Sequence, residues 1–153
     1  MVLAWVLVGC GGADGVVLDG DAHSASSDCA GAERFVPGLA HATERTGTTV
    51  ALTVAVPEPP DVGDNTWTLL VTDGEGPVEG ATVRVVPWMP LHGHGLVPPF
   101  YDAVERGGGV YAVPTFDLVM PGLWEFRVDL APDASGSGGP GPDAARFTLC
   151  AEG

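Results

Sequence analysis

Apolar and polar positions alternate with a period of two along much of the chain, and the clearest case follows Met120-Pro121-Gly122. There Trp124, Phe126, Val128 and Leu130 fall on one face while Glu125, Arg127 and Asp129 fall on the other, the signature of a half-buried strand. Upstream, Val50, Leu52, Val54 and Val56 share a face until Pro57-Glu58-Pro59-Pro60 stops the strand. Trp67, Leu69 and Val71 alternate with Thr66, Thr68 and Leu70, then end in the turn-forming run Thr72-Asp73-Gly74-Glu75-Gly76-Pro77. Val83 and Val85 define the next strand, Val110 to Leu118 another, and Ala145, Phe147 and Leu149 the last. A helical period is sustained nowhere.

About seven short strands separated by turn signals predict an all-β chain folded as a two-sheet sandwich of immunoglobulin-like type. The connection from Pro87 to Gly108 is too long for a simple hairpin, and connections of that length in compact domains are commonly functional. It carries Trp88-Met89-Pro90-Leu91-His92-Gly93-His94-Gly95 and the aromatic pair Phe100-Tyr101.

At 153 residues with no internal repeat, the chain has room for one domain and a tail. Residues 47–153 are expected to form the sandwich. Residues 11–46, rich in Gly, Ala, Ser and Asp, are expected to be a flexible tether. His23, Ser24 and Asp28 lie in that tether, which supplies no rigid frame for a catalytic triad. A second flexible insert is expected through Ala134-Ser135-Gly136-Ser137-Gly138-Gly139.

Residues 1–10 form an apolar run ending in Leu7-Val8-Gly9-Cys10, too short to span a membrane as a helix. The run resembles a bacterial lipoprotein signal, in which cleavage leaves a lipid-modified Cys10 at the N-terminus. Gly11 rather than Asp then implies sorting to the outer membrane, facing the periplasm. The other reading is an apolar first strand of a cytosolic protein. With Cys10 assigned to lipid, Cys29 and Cys150 remain, either as a disulfide in an oxidising compartment or as two free thiols. No CxxC motif is present.

The formal charge of -14, with six scattered Arg and no Lys, argues against a nucleic-acid partner. It also excludes lysine Schiff-base chemistry. Glu125 and Asp129, with Arg127 between them on one strand face, are expected to be exposed and ordinary carboxylates, and no Ser or Cys stands in a nucleophile motif. The sequence therefore points away from an enzyme.

Thr72-Asp73-Gly74-Glu75-Gly76-Pro77-Val78-Glu79-Gly80-Ala81-Thr82-Val83, Met89-Pro90-Leu91-His92-Gly93-His94-Gly95, Gly109-Val110-Tyr111, Phe116 and Met120-Pro121-Gly122-Leu123-Trp124 occur in that order. Together they resemble the YtkA-like domain, which is related to FixH-like domains, over residues 48 to 150. The resemblance implies a small extracytoplasmic immunoglobulin-like sandwich, lipid-anchored or membrane-tethered, of a kind found alongside copper-handling proteins and without established catalysis. Met89, His92, His94 and Met120 match its Met/His-bearing pattern.

Thioether sulfur selects Cu(I) and imidazole suits Cu(II) or Zn, so these four residues are a chemically consistent copper set. Met89 and Trp88 are equally suited to plugging the open end of the sandwich, and Met120 to capping its core. Met120 meets His92 only if the long connection crosses the sandwich. Two functions stay open: an anchored copper-binding or copper-delivery module, and a metal-free protein-interaction module of the cell envelope.

Overall fold

The computed structural model describes residues 27–132 and 142–153. Cys10, the signal-like run, His23, Ser24 and the insert at 134–139 lie outside the described residues. A single 3-10 turn, Ser27–Cys29, precedes ten strands: β1 Leu39–Ala42, β2 Thr49–Val56, β3 Gly63–Thr72, β4 Ala81–Met89, β5 His94–Gly95, β6 Tyr101–Asp102, β7 Val104–Gly107, β8 Val110–Leu118, β9 Gly122–Pro132 and β10 Asp143–Ala151. They form two antiparallel five-stranded sheets, β1-β2-β3-β8-β7 and β10-β9-β4-β5, with β6 also paired to β4. The orders β2-β3-β8-β7 and β10-β9-β4 reproduce the A-B-E-D and G-F-C arrangement of immunoglobulin domains. The predicted two-sheet sandwich is the fold observed.

Strand parity puts one face of each sheet into a shared core. Trp124, Phe126 and Val128 are fully buried and Leu130 is nearly so, as their alternation predicts. Trp67 packs against Phe116 and Phe126 with ring centres 5.2 and 4.4 Å away, and a buried Phe such as Phe126 contributes about 1.5–3 kcal/mol.

The alternation of β2 breaks where the sequence does not show it. Its pairing with β3 shifts between Leu52 and Val54, so the extra residue, Thr53, reverses the facing of everything after it. Val50, Leu52 and Ala55 are buried, whereas Val54 is 47% and Val56 59% exposed. The Thr53 hydroxyl, donating to the Thr68 carbonyl at 3.0 Å, secures the bulge. A matching shift in the β3–β8 pairing carries β8 from buried Tyr111 and Val113 to buried Phe116 and Leu118.

Part of the expected tether is sandwich. β1 pairs with β2 in the register Leu39↔Leu52 to Ala42↔Thr49, and Phe35 and Leu39 pack against the core. Cys29 and Cys150 are joined in a disulfide with Cα atoms 5.5 Å apart. The Glu33 N–H donates to the Thr148 carbonyl at 2.7 Å, and its carboxylate accepts from the Thr148 N–H at 2.8 Å. The segment from Ser27 therefore lies along the free edge of β10, satisfying backbone groups that an open edge would leave unpaired. Sparse apolar residues hide this in the sequence, because backbone bonds and one covalent link supply what apolar periodicity does not.

On the outer face of β9, Asp129 is not exposed as expected but only 7% accessible. Arg127 folds over it in a two-point contact of 2.7 and 3.1 Å. Arg146 bridges Glu125 and Glu44 at 2.7 and 3.1 Å. Among the described residues no helix is long and apolar enough to cross a membrane.

Candidate metal-binding rim

Topology decides whether Met120 can meet the His loop. β4 runs to Met89 at one end of the sandwich, and its antiparallel partner β9 begins at that same end, with Trp88 opposite Glu125. β8 arrives there too, since Leu118 pairs with Gly63 and only Val119, Met120 and Pro121 separate it from β9. From Met89 the chain turns back through β5 and β6 along the edge of β4, then joins the other sheet as β7 beside β8. The long connection thus crosses the sandwich. Met89, His92, His94 and Met120 all sit at one rim.

The His loop is built on the Met89 carbonyl, which accepts the N–H groups of His92 and Gly93 at 3.2 and 2.9 Å. Gly93 makes the turn at φ +69, and Gly95 lets β5 close on β4, because a Cβ there would stand 2.8 Å from the Pro87 carbonyl oxygen. His94 pairs with Met89 across the ladder. The two imidazole centres lie 5.9 Å apart. His94 Nδ1 is 3.2 Å from the Gly95 carbonyl oxygen, and in the tautomer that donates this bond Nε2 keeps the free lone pair.

Met89 is fully buried. Its methyl group would be 2.7 Å from a Cβ placed on Gly122, where φ is +126, so Gly122 gives the thioether room to close the core. Trp88 does not plug the rim. It is 43% exposed, and its ring lies 3.5 Å from the Cβ position of Gly95. Met120 is half-buried against the core.

His92 and His94 meet one necessary geometric condition for sharing a bound ion. An ion about 2 Å from an imidazole nitrogen lies about 3.2 Å from that ring's centre, so rings sharing it have centres within about 6.4 Å. The 5.9 Å between His92 and His94 meets that limit. Among the described residues no group of three or more His, Cys, Asp or Glu could hold a metal ion. Among the side chains of the rim, the donor left to join the two imidazoles is a thioether, a combination suited to copper.

Trp124 is the residue the sequence pattern undervalued, since alternation marks it only as core. Its indole N–H donates to the Met120 carbonyl at 3.1 Å and its ring stands edge-on to His94 at 6.2 Å. This is the position of the tyrosine corner of immunoglobulin domains, near the start of the F strand and bonded to backbone a few residues upstream. A groove of about 380 Å³ lies elsewhere, lined by Glu33, Phe35, Pro59, Cys150 and Glu152 among others, and none of the four rim residues borders it.

Fold and rim together define a small immunoglobulin-like sandwich carrying a Met/His cluster at one end. The YtkA-like family model matches residues 44–129, and the chain belongs to that family. The match holds all four rim residues, whereas Cys29 and Cys150 lie outside it. No curated protein and no solved structure matches the chain.

Proposed function

We propose that this protein is a non-catalytic, lipid-anchored module of the bacterial envelope that binds or delivers copper through His92, His94 and Met120, over a floor made by Met89. The observation that carries the reading is the placing of Met89, His92, His94 and Met120 at one rim by a connection that crosses the sandwich. In this reading Cys10 is the lipid-bearing residue, and the membrane partner is the periplasmic face of the outer membrane. A Cys29–Cys150 disulfide is consistent with an oxidising compartment.

The test is a Cu(I) competition titration of the purified protein beside its His92→Ala/His94→Ala variant. One ion bound per chain, with affinity at least about tenfold lower in the variant, supports the copper site. Equal binding by the two proteins, or none by either, rejects it.

A second reading, a metal-free interaction module for an envelope protein, draws on the same loop. Leu91 is 64% and Val97 98% exposed within the stretch 88–100, which also carries the exposed rings of Trp88 and Phe100, and exposed apolar side chains that gather into a patch mark contact surfaces. It becomes the better reading if copper does not bind.

A further inference from the structure

We infer that Trp124 is a positioning residue that sets the metal preference of the rim, by holding the Met120 arm beside the His loop. The inference rests on the copper reading above. Met120 lies in the connection Val119–Pro121 between β8 and β9, outside either strand. Trp124 is fully buried, so its indole is a fixed point. Its N–H grips the Met120 carbonyl at 3.1 Å, and the same ring abuts His94, whose centre is 5.9 Å from that of His92. One side chain thus touches both the backbone of the segment that carries the soft donor and the ring of one borderline donor.

The chemical consequence is selectivity. Imidazole is a ligand for Zn(II) as well as for copper, whereas adding a thioether favours Cu(I). If the corner slackens, the imidazoles stay on the β4–β5 hairpin and only the sulfur is lost from the donor set. Trp124→Phe removes the N–H while keeping an aromatic ring against His94.

The experiment measures Cu(I) and Zn(II) affinities for the intact protein, Trp124→Phe, Met120→Leu and the double variant, with X-ray absorption on the Cu(I) forms. Trp124→Phe is expected to lose the copper–sulfur signal, keep the copper–nitrogen one, and weaken Cu(I) about tenfold while Zn(II) changes less than about twofold. The double variant should be no weaker than Met120→Leu, since both changes remove the same donor. A Trp124→Phe protein that retains copper–sulfur scattering and the original Cu(I)/Zn(II) ratio overturns the inference. An intact protein that binds no Cu(I) overturns the copper reading instead.

An assay without substitutions gives a further check if Trp124→Phe does not fold. The Trp124 indole N–H resonance should shift further when Cu(I) is added than when Zn(II) binds the imidazoles. A resonance unmoved by bound Cu(I) contradicts the inference.

Discussion

The carboxylate of Asp143, first residue of β10, accepts hydrogen bonds from both the hydroxyl and the backbone N–H of Thr46, at 2.7 and 2.8 Å. The Arg45 N–H adds a third at 2.9 Å. Burial alone would raise the Asp143 pKa, but these donors and the Thr43 hydroxyl outweigh it and hold the group well below the usual carboxylate range.

A depressed folded-state pKa stabilises the protein above the unfolded value of about 3.9, and that stability is lost as pH falls below it. Asp143→Asn should therefore cost about 1–3 kcal/mol at pH 7 and flatten the acid side of the stability curve. Urea unfolding between pH 7 and pH 3 checks this. An unchanged pH slope in the variant would show that Asp143 is not the titrating anchor.

The Cys29–Cys150 disulfide closes a separation of 121 residues. In the chain-entropy account a loop of that size is worth on the order of 4–5 kcal/mol. Cys29→Ser/Cys150→Ser should lower stability by most of that amount, read from denaturant midpoints under identical buffer. If the midpoint does not move, the segment from Ser27 is held by its backbone bonds alone.

Neighbouring glycines at the β7–β8 turn should respond unequally. Gly109 has φ +74, and a Cβ there would come 2.5 Å from the Val71 carbonyl oxygen, while Gly108, at φ +63, has open space around it. Gly108→Ala is expected to cost about 1 kcal/mol from backbone conformation alone, and Gly109→Ala about 2–4 kcal/mol through the added clash. Thermal unfolding of the pair decides it. Equal losses would mean that the backbone relaxes away from Val71.

The fold was legible wherever a strand pairs without interruption. Trp67 to Val71 and Trp124 to Leu130 show their inner face directly, because a period of two survives intact. Val54 and Val56 do not, since a bulge leaves no mark in composition; Ala55, the small residue between them, takes the core position. β1 was hidden for a different reason, being attached by edge hydrogen bonds and a disulfide rather than by apolar periodicity. At the rim, residue chemistry picked out Met89, His92, His94 and Met120. That they share one end depended on a connection whose path lies in strand order, and the part of Trp124 depended on a single N–H direction.

The disulfide also fixes where the first described residues sit. Asp28, next to Cys29, has its Cβ 3.9 Å from the Cβ position of Gly122, at the same rim as the His loop. Ser27 and Asp28 therefore stand on the histidine side of the sandwich rather than at its far end. Anything that docks on the His loop would therefore meet the Ser27–Cys29 turn as part of the same surface.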